Sequence, residues 1–181
     1  MSGKMSCASV WNPARLYLMK QMTVCVVVLM AALCMTLPAE ASDRVLQLGT
    51  SEFSVLVPDH YVQGEVKDVE RSDDMVAYYR SDKSLLDFDV YQFSKKNYPK
   101  DLAAFAGKEA SEYKATARRG EINQIPVAYY YAVEEYEGKT YLTLTYIFDS
   151  QKEYVELAFW LDGNTAEQEA QAIINTLQRS R

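Results

Sequence analysis

The sequence predicts an α+β fold in which helices pack on an antiparallel β-sheet. Apolar residues alternate in several short runs, which is typical of strands, and their spacing changes to that of a helix in two segments. The strands come in runs, with one helix between them and one after them, and this order favours α+β over alternating α/β architecture. No repeat, low-complexity run or linker divides residues 42 to 181, so we expect a single domain there.

The first 41 residues have the pattern of a secretory signal peptide. Three basic residues precede an apolar run from Thr23 to Leu37, and Ala39-Glu40-Ala41 follows as a small-x-small site. This order predicts cleavage after Ala41. The apolar run is shorter than the roughly 20 residues that a membrane-spanning helix needs, and an uncleaved anchor is the alternative. The candidate translation starts are Met1, Met19 and Met22.

Removal of this leader would leave an acidic protein without cysteine. The chain has 19 Lys and Arg against 25 Asp and Glu; the leader holds three of the former and one of the latter, which leaves 16 against 24 and a net charge of −8. All three cysteines (Cys7, Cys25 and Cys34) lie in the leader, so core burial must stabilise the exported domain without disulfides. The negative charge argues against nucleic acid and anionic membrane surfaces as partners. We expect a secreted, periplasmic or cell-envelope protein with no stable membrane span after processing.

The first half of this domain is predicted to be mostly strand. Alternating apolar residues predict a strand from Phe53 that ends at Pro58, and the charged stretch from Asp59 to Asp74 is expected to be a loop. Two further strands are predicted at Met75–Arg80 and Leu85–Ser94, joined by a polar turn.

A helix is predicted from about Lys100 to Tyr113, with Pro99 in its first turn and one buried face that includes Phe105 and Glu109. A short strand at Thr116–Ile122 and an antiparallel meander are expected next. The meander strands are Ile125–Glu135, Lys139–Phe148 and Lys152–Leu161.

The chain ends in a second predicted helix. Asn164 or Thr165 is the expected cap, with Glu167 or Gln168 as its capping-box partner. A single apolar stripe then follows at helical spacing. Its members are Ala166, Ala170, Ile173, Ile174 and Leu177.

This order of elements resembles the PsbP-like α/β/α sandwich family, which includes small exported bacterial proteins of unknown function. The resemblance covers about residues 50 to 179 and is carried by VPDHY (57–61), MVAYYRSDKSLLDFDVYQF (75–93), INQIPVAYYYAVEEYEGKTYLTLTYIF (122–148) and YVELAFW (154–160). It implies a binding or assembly module rather than a catalyst. The functional residues of the photosynthetic members have no matching positions here, so the resemblance implies no site residues.

The meander region from Ile125 to Gly163 contains seven tyrosines, and alternation divides its residues between two faces. The Leu, Val and Phe sets form a core wall that the helices should cover. The opposite face carries Tyr, Thr, Glu and Trp, and its tyrosine rings can pack across strands while their hydroxyls stay hydrated. Such a face is either an ordinary semi-polar surface or a platform for a protein or small ligand. The candidate ligand-binding residues, expected to point outward together, are Tyr131, Tyr141, Tyr154 and Trp160.

Few residues offer catalytic or metal-binding chemistry. His60 is the sole histidine, which excludes multi-histidine metal sites, and we expect it to be a loop residue at the sheet edge. Asp87 and Asp89 are two apart on a strand and share a face, so they could act as an acid and base pair, although a solvated strand face is the expected role. We therefore expect a non-enzymatic binding or accessory module with no cofactor and no metal. A carboxylate-dependent hydrolase and an envelope protein anchored by an uncleaved leader are the alternatives.

Overall fold

A computed structural model of the protein describes residues 42–65, 73–136 and 138–180, which form ten strands and two helices. The strands are β1 (Asp43–Gln47), β2 (Phe53–Pro58), β3 (Val62–Gln63), β4 (Met75–Arg80), β5 (Leu86–Ser94), β6 (Arg118–Ile122), β7 (Ile125–Tyr136), β8 (Lys139–Asp149), β9 (Glu153–Leu161) and β10 (Gln178–Arg179). The helices are α1 (Leu102–Glu112) and α2 (Asn164–Ile174). The predicted leader lies outside the described residues.

Most of the strands form one antiparallel sheet of seven, in the order β3-β4-β5-β9-β8-β7-β6. The predicted meander is confirmed, since β7 pairs with β8 and β8 with β9. The smaller sheet has the order β1-β2-β10. The fold is therefore α+β, as its sequence predicts.

One face of the seven-stranded sheet is the predicted core wall, and it is covered by α2 and by the small sheet. Phe159 is fully buried there, in one apolar cluster with Ile173, Ile174 and Leu177 of the last helix and its end. Phe53 of the small sheet meets Phe148 of β8 with ring centroids 5.5 Å apart. The wall is thus closed by apolar contacts from both covering elements.

Helix α1 lies on the opposite, semi-polar face. The ring of Phe105 stacks on Tyr154 at 4.2 Å, and Ala106 joins Ala128 and Ile147 in the same cluster. The expectation that both helices cover the Leu/Val/Phe wall was therefore wrong. Small residues such as Ala128 leave room on the strand surface for a helix to approach, and Tyr154 provides a flat ring for it to pack on.

Three short strands and one helix cap differ from the prediction. Strands β1 and β10 were missed, and β3 lies inside the stretch that was predicted to be loop. Helix α2 has no capping box: its N-cap is Gly163, at φ 99°, and no side chain caps it. This positive φ favours glycine, which explains why the chain turns there without a polar cap. Helix α1 does have a side-chain cap, since Asp101 accepts a hydrogen bond from the Ala104 amide at 3.0 Å.

Over the part of the chain that the structure describes, neither helix combines the length and apolar character needed to span a membrane.

Candidate functional site

Two of the four predicted binding residues do not belong to one outward face. Tyr131 lies on the core-wall side of the sheet, opposite Leu144, and its hydroxyl donates to Glu167 of α2 at 2.8 Å. Tyr154 is fully buried beneath α1, and its hydroxyl donates to the Pro99 carbonyl at 2.7 Å. The expectation that all four point outward together was therefore wrong. Strand alternation already separates Tyr131 from the others, whereas the burial of Tyr154 depends on where α1 packs.

The other two residues, Tyr141 and Trp160, contact each other outside the apolar cluster that α1 covers. Tyr141 and Trp160 are both half-buried, and their rings meet edge to face with centroids 5.7 Å apart. The indole N–H of Trp160 donates to Asp89 Oδ2 at 2.7 Å. An aromatic pair therefore lies next to a carboxyl group on this part of the sheet.

Three carboxyl groups lie on the same face of the sheet, on β5, β9 and β7. Asp89 also accepts a hydrogen bond from the Tyr91 hydroxyl at 3.4 Å, and Glu134 accepts one from Thr143 Oγ1 at 3.0 Å. Glu156 is 7% exposed, and its Oε2 is buried without a hydrogen-bond partner among the described residues. We call this surface the acidic face. It consists of Asp89, Tyr91, Glu134, Tyr141, Glu156 and Trp160.

The carboxyl groups of the acidic face bind protons more tightly than ordinary carboxyl groups. Burial raises the pKa of Asp89 to about 6, although the hydrogen bonds from Trp160 and Tyr91 oppose the shift. Burial also raises the pKa of Glu134. It raises the pKa of Glu156 well above its ordinary value, and the nearby charges of Glu109, Glu134 and Asp89 add to the shift. A low-dielectric setting and like charges both disfavour the ionised form, so the cluster holds protons to higher pH than exposed carboxyl groups do.

Tyrosine rings surround these groups. Tyr91 lies close to two of the carboxyl groups, since its hydroxyl donates to Asp89 and its cross-strand partner on β9 is Glu156. Burial raises the pKa of Tyr91, and the charges of Asp89 and Glu156 raise it further. Tyr113, just after α1, stacks on Tyr130 of β7 at 6.1 Å. Burial, followed by the charges of Glu134 and Glu156, raises the pKa of Tyr113 to about 12. The acidic face therefore combines negative charge with aromatic surface.

The lysine of helix α1 is already paired with two glutamates of the same helix. Lys108 of α1 pairs with Glu109 at 3.1 Å and with Glu112 at 2.9 Å. Within residues 42–65, 73–136 and 138–180, no ion pair reaches Asp89, Glu134 or Glu156. The same residues contain no group of three or more His, Cys, Asp or Glu side chains that could hold a metal ion.

Asp87 and Asp89 differ in solvent exposure, although they share one face of β5. Asp87 is exposed, as expected, but Asp89 is buried, so the expected solvated role was wrong for Asp89. Neither Glu134 nor Glu156 was predicted to be a site residue. A glutamate flanked by apolar strand residues, as in YVELAF (154–159), was the available signal for Glu156.

A second polar cluster lies at the edge of the core wall and links α2 to the loop after β2. Both carboxylate oxygens of Glu169 are hydrogen-bonded, Oε1 by the Tyr61 hydroxyl at 2.7 Å and Oε2 by the Ser84 hydroxyl at 2.6 Å. His60 lies between the Ser81 hydroxyl, 3.3 Å from Nδ1, and Glu169, 3.9 Å from Nε2. These contacts tie the loop to the helix, and we assign the cluster a structural role.

No family model matches the sequence, and no curated protein matches it. Solved structures do match. The solution structure of cyanobacterial PsbP (CyanoP) from Synechocystis sp. PCC 6803 is 10% identical, with a TM-score of 0.57, over 77% of this chain and 93% of that chain. A crystal structure from Bacteroides thetaiotaomicron VPI-5482 is 19% identical, with a TM-score of 0.52, over 75% of this chain and 50% of that chain. The chain therefore spans half the length of the Bacteroides protein.

At these identities, the similarity concerns the fold alone. The match to CyanoP covers nearly all of that protein. The chain has a PsbP-like α+β fold.

Proposed function

We propose that the protein is a non-catalytic binding module that acts outside the cytoplasm and binds its ligand on the acidic face. The observation that carries this proposal is the buried Oε2 of Glu156, which has no hydrogen-bond partner among the described residues. A buried polar group without a partner destabilises the folded protein, and an apolar side chain of similar size would avoid that penalty. Groups held in this way at the expense of stability are concentrated at functional sites.

The partial exposure of the surrounding side chains supports binding at this face. Tyr91, Glu134, Tyr141 and Trp160 are each half-buried, so they offer contact area to a ligand while packing against the sheet. Tyrosine and tryptophan are favoured at binding surfaces because they contribute large area with few rotatable bonds. The ligand would therefore meet aromatic rings first and carboxyl groups beneath them.

The geometry of the two aspartates on β5 favours binding over hydrolysis. Asp89 is buried, and its Oδ2 accepts hydrogen bonds from the Trp160 indole at 2.7 Å and from the Tyr91 hydroxyl at 3.4 Å. Asp87 is exposed, so the two carboxyl groups do not face a substrate together.

The extracytoplasmic location is supported by the leader sequence before residue 42. Its basic start, apolar run and small-x-small site follow the order of a secretory signal. The acidic domain that follows has no cysteine, so its stability would not depend on the redox state of the compartment.

A thermal-shift screen with compounds grouped by charge tests the proposal. We expect one charge class to raise the melting temperature of the wild-type protein and of a Val133→Ala control, which changes an exposed residue of β7. The same compounds should fail to stabilise Tyr141→Ala, which removes one ring of the aromatic pair. Equal stabilisation of Tyr141→Ala, or no stabilisation by any class, would overturn the proposal.

A further inference from the structure

We infer that the ligand of the acidic face is an organic cation, an ammonium or guanidinium group that docks against Tyr91 among the carboxyl groups of Asp89, Glu134 and Glu156. This inference rests on the proposed function, because it assigns a chemical class to the ligand of the same face.

The charges on the acidic face indicate that its ligand is positively charged. Asp89 and Glu134 have neutral hydrogen-bond donors, Glu156 Oε2 has none in the described part of the chain, and no ion pair there reaches any of the three. An anion would add a like charge, and a neutral apolar molecule would leave Glu156 without a partner. A cation with N–H groups or diffuse positive charge would complement Glu156, which is the cross-strand partner of Tyr91, and Asp89, which accepts the Tyr91 hydrogen bond.

The aromatic rings select an organic cation over a metal ion. Metal ions such as Ca²⁺ take six or more oxygen ligands, whereas ammonium and guanidinium groups are also attracted to the faces of aromatic rings. The described residues offer no cluster of three carboxyl, histidine or thiol groups arranged to hold a metal. The protein already uses the ammonium–tyrosine contact, since Lys108 Nζ lies 5.2 Å from the centroid of Tyr98 and Lys95 Nζ lies 5.0 Å from that of Tyr154.

Binding should be coupled to proton release. The titratable and charged groups around Glu156 are Asp89 and Tyr91 on β5, Glu134 and Tyr130 on β7, and Glu109, Glu112 and Tyr113 on or after α1, where Lys108 pairs with Glu109 and Glu112. Burial and the surrounding carboxyl groups raise the pKa of Glu156. A cation pairs best with the ionised carboxylate, so its arrival displaces the proton and the affinity rises with pH.

Calorimetric titration of the protein with choline tests the charge requirement. The neutral isostere 3,3-dimethylbutan-1-ol serves as the matched probe, since it has the same shape without the charge. We expect choline to bind at least about tenfold more tightly than the isostere, and about tenfold more tightly at pH 8 than at pH 5, as expected when a proton must leave. At neutral pH, two buffers of different ionisation enthalpy should report proton release.

A second arm distinguishes a free cation from a side chain of a protein partner. The probes are n-butylammonium and N-acetyl-lysine methylamide, which share the ammonium group. Binding of either supports the inference, and tighter binding of the lysine derivative indicates a protein source.

Two variants locate the binding event. Glu156→Gln should weaken choline binding at least about tenfold, which is the effect expected from loss of one charged partner. Glu121→Gln makes the same chemical change at an exposed position of β6 and should bind choline like the wild type. Circular dichroism of each variant checks that it is folded.

The inference is overturned if none of choline, n-butylammonium and the lysine derivative binds at pH 8, if the neutral isostere binds as tightly as choline, or if Glu156→Gln retains full affinity. Stabilisation by another charge class that depends on Tyr141 would then leave the proposed function intact. If no class acts through Tyr141, both proposals fall.

Discussion

Glu156 lies in the middle of β9, between Tyr91 of β5 and Ile147 of β8. The Oε2 atom at this position has no hydrogen-bond partner among the described residues, so the carboxyl group loses hydration without a compensating bond. Glu156→Met, which replaces it with an apolar side chain of similar size, should therefore raise the free energy of unfolding, by about 1–3 kcal/mol. Urea unfolding at pH 7 measures this change, and Glu121→Met, the same change at an exposed position, is the control. A Glu156→Met protein less stable than the wild type would show that the carboxyl group serves the core.

Asp89 should make stability depend on pH over a defined range. Its pKa rises from 3.8 to about 6 in the folded protein, so the folded state binds more protons than the unfolded chain between those values. The free energy of unfolding must then fall as pH rises from about 4 to about 6, and the loss persists above pH 6. At about 1.4 kcal/mol per pKa unit, the contribution of Asp89 is about 3 kcal/mol.

Asp89→Asn removes this contribution while its amide oxygen can still accept the Trp160 hydrogen bond. We expect the variant to be more stable than the wild type above pH 6 and to lose less stability between pH 4 and pH 6. Denaturant unfolding over that pH range measures both effects. An unchanged slope would show that Asp89 titrates like an exposed carboxyl group.

The sheet face on which a strand residue lies could be predicted from alternation, but the burial of its side chain could not. Alternation places Tyr141 and Trp160 on one face, and the structure brings them together. It does not say that Tyr154 lies under a helix, because that burial depends on contacts with Phe105, 49 positions earlier in the chain. For the same reason, the environment of Glu156 could not be predicted from local sequence.

At the scale of elements, each helix should stabilise one face of the sheet. Phe105→Ala removes the ring that stacks on Tyr154, and Phe159→Ala opens the wall beneath α2; each should lower the free energy of unfolding by about 3–5 kcal/mol. Asp87→Asn changes an exposed group and should have little effect. Urea unfolding of the three variants measures these differences. A Phe105→Ala protein as stable as the wild type would mean that α1 contributes little to the fold.

The long strands and both helices were predictable because their apolar periodicity is strong. The shortest strands were not, for reasons of burial. Strand β1 is mostly exposed and pairs along one edge of β2, and β3 and β10 have two residues each. Too few of their side chains are buried to leave a periodic signal. The cap of α2 was mispredicted because Gly163 supplies a backbone conformation instead of a polar side chain.

At the scale of the whole molecule, the proposed secretory leader would determine where the acidic domain acts. Export with cleavage after Ala41 should yield a protein that begins at Ser42 and contains no cysteine. N-terminal sequencing and intact mass of the exported protein measure both properties. A mature chain that begins at Met1, Met19 or Met22 would indicate a retained leader, and with it the anchored alternative.

Binding of a cation to the acidic face can be observed directly at Trp160. The indole N–H of this residue reports on the face through its hydrogen bond to Asp89. Its resonance can be assigned in ¹H–¹⁵N spectra by comparison with a Trp160→Phe variant and followed during titration with choline. The account predicts a saturable shift of this resonance with choline and none with 3,3-dimethylbutan-1-ol. An indole resonance that stays fixed at saturating choline, or that moves equally with the neutral isostere, would contradict it.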